Sequence, residues 1–277
     1  MPDLDPTAAT DFAARSFDTL LVEEPEPGLL QITLNRPERR NALNTRMGVE
    51  LGSIFVPLRF KPGRWRCIVL TGAGDKAFCA GGDLKERHGM SDDDWRLQHA
   101  IFEEAYWAVM DCPVPVIAAV NGAAYAGGLE LALACDFIYA VEAARFALTE
   151  VTLGIMPGGG GTQNLARAVG ERRAKELILT GRPFSAAEGH EWGAVNAVLP
   201  TPEALMAAAR ETAATITGNA PISVRQAKKA IHHGLQGDLQ TGLHFEIAAY
   251  ERMIPTEDRR EGMAAFNEKR RPVYRGR

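Results

Sequence analysis

The chain has 277 residues, of which 46% are hydrophobic and 24% charged, the balance of an ordinary globular protein. Its formal net charge of −4 and isoelectric point near 5.9 make nucleic acid or an anionic membrane an unfavoured partner. The 4 cysteines form no C-x-x-C pair, which favours reduced thiols over a disulfide framework or a zinc site. The acidic N-terminus lacks the basic and apolar regions of a secretory signal, so we expect a cytoplasmic protein.

The N-terminal part of the chain is predicted to form a loose arm, a hairpin and a helix. Residues 1–16 are expected to be the arm, and the hairpin pairs Leu20–Glu23 with Leu29–Leu34 across a turn rich in proline. After a polar loop, one residue of the pair Asn44–Thr45 caps a helix that is expected to stop near Pro57.

The next predicted elements are separated by glycine-rich segments. A buried strand over residues 67–71 leads into the glycine loop Gly72–Asp83. A long amphipathic helix then begins at Ser91 and ends before Pro113. A second buried strand follows and opens the stretch Ala118–Asp136.

The stretch Ala118–Asp136 joins this strand to a helix through a turn of small residues. Between Gly122 and Gly128 only Tyr125 has a side chain longer than a methyl group, so backbone can approach a ligand closely there. The first amides of the following helix have no intrahelical partner and lie at the positive end of its dipole. These features fit an anion or oxyanion site, and they fit a tightly packed turn equally well.

The rest of the chain completes one α/β core, residues 17–200, and a helical extension, residues 201–277. No fixed-period repeat or low-complexity linker divides the core. The later predicted elements are a strand over 137–140, helices over 162–169 and 172–179, a helix opened by the capping box Ser185-x-x-Glu188, a strand over 196–199, and helices over 203–216, 224–233, 239–253 and 258–270.

Three glycine motifs could bind a cofactor or an anion. Gly72–Ala77 fits G-x-G-x-x-A, but a loop follows it where a dinucleotide site requires a helix. Pro157–Gly161 lacks the lysine of a phosphate-binding P-loop and is better explained as a loop packed against other backbone. Ala80–Lys85 leaves amides bare and could supply, beside Gly127, the second donor of an oxyanion hole.

Glu130 and Glu150 are carboxylates in apolar surroundings, one on a helix and one just after a strand. Such surroundings raise the pKa of a carboxyl group and suit it to acid–base chemistry. Their spacing alone favours the simpler interpretation of surface or capping residues. No HExxH or G-x-S-x-G motif occurs, so nothing supports metal-dependent or serine nucleophilic catalysis.

Together the motifs resemble those of the enoyl-CoA hydratase/isomerase (crotonase) family. The resemblance covers residues ~18 to 273, and the matching segments keep the family's order, which makes it far more specific than any single motif. These segments are Leu34–Leu43, Lys76–Glu86, Asn121–Asp136, Glu150–Gln163 and Pro255–Arg270.

The resemblance implies a crotonase-like spiral of ββα units with a helical C-terminal trimerisation region, in homotrimers that often pair as hexamers. It implies an acyl-CoA thioester substrate and neither a metal nor a separate cofactor, because coenzyme A is part of the substrate. Gly82 and Gly127 match the two amides of the family's oxyanion hole. Glu130 and Glu150 match the two glutamates of true hydratases.

Other positions match the family's contacts with substrate. Lys85, with Arg39 or Arg40, is expected near the CoA phosphates, whereas Phe266 and Lys269 match a pair that closes over CoA, often that of a neighbouring subunit. Ala80, Asp83, Leu84 and Tyr125 are also expected at the substrate site. The departures from the family pattern are Tyr125, where relatives often carry leucine, and a slightly long 84–112 segment, and both are expected to line the acyl pocket.

The implied reaction is the reversible syn addition of water to a 2-enoyl-CoA, giving a 3-hydroxyacyl-CoA. Glu130 would activate the water and Glu150 would protonate Cα, although the reverse or a concerted assignment stays open. The alternatives are a methylglutaconyl-CoA hydratase of leucine breakdown, a double-bond isomerase on the same scaffold, and an RNA-binding or non-catalytic relative. The acidic isoelectric point and the glutamate pair argue against the last of these.

Overall fold

Two β-sheets form the framework of the computed structural model, which describes residues 11–277. The strands in chain order are β1 (Leu20–Glu26), β2 (Leu29–Leu34), β3 (Cys67–Gly72), β4 (Ala77–Cys79), β5 (Val116–Val120), β6 (Ala123–Tyr125), β7 (Phe137–Val141), β8 (Arg145–Ala147), β9 (Phe184–Ser185) and β10 (Ala197–Leu199). The larger sheet has the order β1-β2-β3-β5-β7-β10, and the smaller has the order β4-β6-β8-β9.

The chain alternates between the two sheets. Strands β3, β5 and β7 of the larger sheet lead directly into β4, β6 and β8 of the smaller one, and helices follow each of these strand pairs. In the larger sheet, neighbouring strands from β2 to β10 are parallel, whereas β1 and β2 form the predicted antiparallel hairpin. This repetition is the predicted spiral of ββα units, and the prediction of fold class is confirmed.

Helices pack on the larger sheet and on one another, and several of them supply walls of the candidate site. In chain order they are α1 (Thr45–Phe60), α2 (Leu84–Arg87), α3 (Asp92–Met110), α4 (Gly127–Ala134), α5 (Gly161–Val169), α6 (Glu171–Thr180), α7 (Ala186–Trp192), α8 (Pro202–Thr217), α9 (Pro221–Gly234), α10 (Leu239–Glu251) and α11 (Glu257–Asn267). Helix α8 packs against the central strands, α1 against α3, and α9 against α10. Short 3₁₀ turns occur at Phe12–Ala14, Pro37–Arg39 and Glu150–Leu153.

Polar side chains begin the helices where the sequence predicts them. Asn44 accepts a hydrogen bond from the Met47 amide, and Ser91 caps α3. Ser185 and Glu188 form the predicted capping box of α7. These side chains satisfy amides that have no partner inside a helix, which is why each helix begins where it does.

Helix α1 is longer than predicted, because Pro57 lies inside it rather than at its end. A proline at this position leaves the carbonyl of Ser53 without its usual amide donor, and the Arg15 guanidinium faces that carbonyl oxygen at 3.4 Å. The fully buried side chains of Phe55 and Leu58 anchor the helix on both sides of the proline. Core packing therefore outweighs the local signal for a helix end.

The prediction of a loose N-terminal arm does not hold for Phe12–Ala14. Phe12 is fully buried, and its ring stacks on Trp65 with 6.5 Å between the centroids. This 3₁₀ turn is therefore part of the core, and the remainder of the predicted arm, residues 1–10, lies outside the described residues. Within residues 11–277 no helix has the length and apolar character required to cross a bilayer.

Candidate active site

Two backbone segments that follow the neighbouring strands β4 and β6 of the smaller sheet meet at one wall of a cavity of about 720 Å³. Gly81 has a positive φ of 90°, and a Cβ atom built on it would lie 2.8 Å from the Tyr125 carbonyl oxygen and 3.3 Å from the Gly127 nitrogen. Only glycine permits this approach. The contact places Gly82 and Gly127 together at the cavity wall, as the oxyanion-hole prediction requires.

The amides of Gly82 and Gly127 have no acceptor among the described residues, although their neighbours are bonded. The Leu43 and Asp83 amides complete the backbone bridge around Gly82, and the Ala126 amide donates to the Ala147 carbonyl oxygen. Unpaired N–H groups are rare inside proteins. Two of them at one wall form a donor pair suited to an oxygen that gains negative charge during a reaction.

Ala126 holds the start of α4 in a strained conformation. Its φ of 49° and ψ of −126° lie in a region that a non-glycine residue rarely occupies. Its amide donates to the Ala147 carbonyl oxygen at 2.8 Å, and its carbonyl oxygen accepts from the Leu129 and Glu130 amides. Strain of about 1–3 kcal/mol is typical of such positions, and here these bonds maintain it and set the direction of the next amide, that of Gly127.

Glu130 lies in the first turn of α4 and is 4% exposed. Its Oε1 accepts hydrogen bonds from the Gly159 amide at 2.7 Å and the Gly161 amide at 2.9 Å. Burial raises the pKa of Glu130 above its ordinary value, although these two donors oppose the shift. The carboxylate is thus fixed at one oxygen, while the side chain lines the cavity.

The glycine loop Pro157–Gly161 packs closely, as predicted, but it also orients Glu130. A Cβ atom built on Gly159 would lie 2.4 Å from the Tyr106 ring, and one on Gly161 would lie 2.9 Å from Glu130 Oε1. Because glycine has no side chain, the backbone amides of Gly159 and Gly161 can approach the Glu130 carboxylate closely enough to donate hydrogen bonds to it. The sequence interpretation missed this role, because the loop and Glu130 are far apart in the chain.

Glu150 begins the 3₁₀ turn after β8 and lines the same cavity. Both of its carboxyl oxygens are buried without a hydrogen-bond partner among the described residues. Burial raises the pKa of Glu150 to about 7, and the nearby charge of Glu130 adds to the shift. One carboxyl group is therefore held by two donors, and the other titrates near neutrality, so neither has the surface role that their spacing alone favoured.

The cavity collects some of the predicted substrate residues and leaves others outside. Gly82, Gly127, Glu130, Glu150, Ala80 and Leu84 line it. Asp83, Lys85, Arg39, Arg40, Tyr125, Phe266 and Lys269 do not. Residues of the 84–112 segment, among them Trp95 and Phe102, line this cavity, whereas Tyr125 at the end of β6 does not.

Asp83 has a structural role. It pairs with Arg36 at 2.9 Å and caps α2. Burial opposes its ionisation, but the hydrogen bonds from Arg36 and from the Glu86 and Lys85 amides outweigh burial and lower the pKa of Asp83. The ionised side chain fixes the loop that carries Gly82.

The predicted CoA contacts are exposed. The Arg40 carbonyl oxygen accepts from the Ala80 amide at 3.0 Å, so the exposed Arg39 and Arg40 lie on a loop bonded to the cavity wall. Lys85 is exposed on α2. Phe266 is 82% exposed and lies with Lys269 at the end of α11, outside this cavity.

The sequence interpretation missed two polar residues at the cavity. The Tyr106 hydroxyl donates to the Gly127 carbonyl oxygen at 2.9 Å, and burial raises the pKa of Tyr106, so the hydroxyl stays protonated. Arg87 lies beside Gly82, with its guanidinium over the Trp95 ring at 4.5 Å from the centroid. Burial lowers the pKa of Arg87, which reflects the cost of holding a cation there. The amphipathic pattern of α3 is the only local sequence signal for this wall.

Other chemistries find little support within residues 11–277. No group of three or more histidine, cysteine, aspartate or glutamate residues could hold a metal ion there. All four cysteines are buried, and burial raises the pKa of Cys67 and Cys79 to about 12. Thiolate is the reactive form of cysteine, so these residues are unsuited to nucleophilic catalysis.

Known proteins resemble this chain along most of its length. A model of the enoyl-CoA hydratase/isomerase family matches residues 24–277. The Bacillus subtilis protein YngF, named provisionally as an enoyl-CoA hydratase/isomerase, is 49% identical over 259 residues, which are 94% of this chain and 99% of that protein. The short-chain-enoyl-CoA hydratase of Clostridium acetobutylicum is 40% identical and shares 91% of this chain and 95% of its own.

A solved structure gives the same result for the fold. The crystal structure of enoyl-CoA hydratase from Bacillus anthracis superposes with a TM-score of 0.91 at 48% sequence identity, covering 94% of this chain and 100% of that one. The similarity therefore includes the core and the C-terminal helices. By sequence and by fold, this chain belongs to the enoyl-CoA hydratase/isomerase family.

Proposed function

We propose that the chain is an enoyl-CoA hydratase, which reversibly adds water in the syn sense to a 2-enoyl-CoA and forms a 3-hydroxyacyl-CoA. One observation carries the proposal: a carboxylate held by two amides and a carboxyl group with a pKa near 7 line the same cavity as two unpaired backbone donors. Hydration needs donors that stabilise the negative charge developing on the thioester oxygen, a base and an acid, and these groups supply all three.

The Gly82 and Gly127 amides would bind the thioester oxygen. When water attacks Cβ, negative charge moves through the conjugated system onto this oxygen. The two donors are already oriented, and the second lies at a helix N-terminus, where the dipole also favours negative charge. Loss of one such donor typically lowers the rate on the order of a hundred- to thousand-fold.

In hydration, one glutamate would act as the base and the other as the acid, and in dehydration these roles would be reversed. Glu130, whose ionised form is favoured by the hydrogen bonds from the Gly159 and Gly161 amides, would accept a proton from water as the new C–O bond forms at Cβ. Glu150, which holds a proton near neutral pH, gives it to Cα. Dehydration runs the same steps in reverse, so the pair carries one proton before and after each turnover.

The rest of the proposal concerns the CoA moiety and the assembly. The exposed cations Arg39, Arg40 and Lys85 border the cavity wall and suit the CoA phosphates. Phe266 and Lys269 would close over the CoA of a neighbouring subunit in a homotrimer or hexamer, which fits the exposure of Phe266 in its own subunit. The reaction would need no metal or separate cofactor, and we expect it to occur in the cytoplasm.

Two related activities remain as alternatives on this scaffold. A double-bond isomerase would use the same enolate stabilisation without taking up water. A methylglutaconyl-CoA hydratase of leucine breakdown would perform the same chemistry on a branched, carboxylated substrate. The names of relatives include both hydratase and isomerase, so the reaction must be tested directly.

The decisive experiment follows crotonyl-CoA in water labelled with ¹⁸O, with product analysis by mass spectrometry. The wild-type chain is expected to incorporate one labelled oxygen, and Glu130→Gln and Glu150→Gln are each expected to lose roughly a hundred- to ten-thousand-fold in rate. Glu171→Gln, an exposed change on α6, is the matched control and should keep full activity. A shifted double bond without label would identify an isomerase, and full activity in both glutamate variants would refute the mechanism.

A further inference from the structure

Arg87 is a charged residue at the cavity that the proposed hydration does not use. It is the last residue of α2, and its Nε donates to Gln98 Oε1 at 2.7 Å. Gln98 is fully engaged in turn, because its amide nitrogen donates to Thr45 Oγ1 and Glu86 Oε2, both at 2.8 Å. The inner edge of the guanidinium is therefore fixed by a buried hydrogen-bond network.

Aromatic rings from α3 hold the guanidinium plane. The Arg87 Cζ atom lies 4.5 Å from the Trp95 ring centroid and 5.6 Å from that of Phe102. Such cation–π contacts restrict the orientation of an arginine without satisfying its N–H groups. The terminal nitrogens Nη1 and Nη2 have no hydrogen bond and no ion pair with any residue of the described range 11–277.

The guanidinium lies close to the place where the acyl group must sit. A Cβ atom built on Gly82 would be 3.2 Å from both Cζ and Nη1 of Arg87. The Gly82 amide is one of the proposed donors to the thioester oxygen, so Arg87 is near the first carbons of the acyl chain. The carboxylates of Glu86 and Glu130 attract the Arg87 cation at longer range, but neither forms an ion pair or a hydrogen bond with it among the described residues, so its burial stays costly until an anion pairs with it directly.

We propose that Arg87 binds a carboxylate at the far end of a short acyl chain, so that the preferred substrates are enoyl-CoA esters of dicarboxylic acids. This inference rests on the proposed function for the position of the thioester. Two parallel N–H groups at the guanidinium edge match the two oxygens of a carboxylate, and a bidentate pair gives both affinity and orientation. The exposed cations Arg39, Arg40 and Lys85 remain available for the CoA phosphates.

Equilibrium binding of two non-reacting ligands of equal chain length tests the proposal. Glutaryl-CoA carries the terminal carboxylate, and pentanoyl-CoA has a methyl group in its place. By isothermal titration calorimetry, the wild-type chain should bind glutaryl-CoA more tightly. Arg87→Gln should lower that affinity roughly ten- to hundred-fold, the usual effect of losing a charge-assisted pair, with a much smaller effect on pentanoyl-CoA.

Two further variants keep the test specific. Arg87→Lys retains the charge but not the planar fork, and it should recover only part of the preference. Arg96→Gln removes an exposed arginine of α3 that pairs with Asp93, and it should leave both affinities unchanged. Because the readout is a ratio of two affinities in one sample, a partly unfolded variant does not distort it.

The outcomes separate this inference from the proposed function. Equal wild-type affinities for the two ligands, or an equal loss for both in Arg87→Gln, would overturn the role of Arg87 even if crotonyl-CoA is hydrated. An Arg87-dependent preference for glutaryl-CoA without any hydration activity would retain the carboxylate site and reject the hydratase.

Discussion

The Tyr106 hydroxyl donates to the carbonyl oxygen of Gly127 at 2.9 Å, and so it holds the same residue whose amide faces the cavity. The tyrosine ring also lies against Gly159, one of the two amide donors to Glu130. One side chain thus connects the wall formed by Gly82 and Gly127 with the loop that orients the Glu130 carboxylate. Tyr106 is a positioning residue, since it acts through both of these backbone segments.

Replacing Tyr106 by phenylalanine should lower kcat about tenfold with little change in KM, because small displacements of catalytic groups are costly. The lost hydrogen bond should reduce the free energy of unfolding by about 1 kcal/mol. Tyr139→Phe is the matched control: its hydroxyl bonds to Thr212 at 3.1 Å, away from the cavity, so it should lose similar stability but no activity. Equal kinetic effects in both variants would show that Tyr106 serves stability alone.

The glutamate pair predicts one pH profile for both directions of the reaction. Hydration starts with the proton on Glu150 and dehydration with the proton on Glu130, so both starting forms contain the same number of protons. The value of kcat/KM should therefore follow the same bell shape in both directions, with the alkaline limb near the pKa of Glu150, about 7.

Steady-state rates for crotonyl-CoA and 3-hydroxybutyryl-CoA across the pH range give this measurement. Glu150→Gln, with its low residual activity, should lack the alkaline limb, because glutamine does not titrate. A wild-type profile that is flat between about pH 6 and 9 would contradict a one-proton pair.

Glu150 also predicts a pH-dependent stability difference. Its folded-state pKa of about 7 lies above the ordinary value of 4.5, so its contribution to stability is complete below about pH 4.5 and is lost as the pH rises through 7. Glu150→Gln should therefore be more stable than wild type at pH 8, by about 1–3 kcal/mol, and should lose this advantage toward pH 5.

Denaturant unfolding at several pH values measures this difference, with the exposed Glu171→Gln as the control. The control should show no such trend between pH 5 and 8, because the pKa of Glu171 is lowered by its hydrogen bond with Lys175. A constant difference between Glu150→Gln and wild type would mean that Glu150 is already charged at pH 5.

Gly159→Ala tests whether the glycine loop orients Glu130. The added Cβ would lie 2.4 Å from the Tyr106 ring and 3.0 Å from Glu130 Oε2, so the loop must move and weaken its amide bond to the carboxylate. We expect kcat to fall at least about tenfold. Gly52→Ala, where a Cβ would have no atom within 4 Å, should keep full activity and gain up to about 1 kcal/mol from helix propensity.

The sequence predicts the elements that have strong local signals. The hairpin and the capping box at Ser185 follow from short patterns and appear as expected. The three-residue strands β4 and β6 were missed, since so few residues cannot display a period. Helix α1 passes Pro57 because buried neighbours on both sides outweigh the local signal for a stop.

The residues of the candidate site likewise fall into those that a local motif predicts and those that only the fold reveals. Gly82, Gly127, Glu130 and Glu150 are found by motif resemblance, and the structure brings all four to one cavity. Tyr106 and Arg87 carry no motif. Tyr106 contacts the backbone of Gly127 and Gly159, which is distant in the chain, and Arg87 contacts side chains of α3. Only the fold reveals these contacts, since nothing in the sequence around α2 and α3 distinguishes the two side chains from packing residues.

The two unpaired donors belong to the main chain, so of all substitutions only proline, which lacks a backbone N–H, would delete one of them. Under the proposed mechanism, replacing Glu130 or Glu150 would remove proton transfer and leave the donor wall of Gly82 and Gly127 in place. A descendant of this protein could then lose the proposed hydration and still bind and polarise thioesters. A new acid or base elsewhere on the cavity wall would then be enough to start a different reaction, with the most demanding part of the catalyst already inherited.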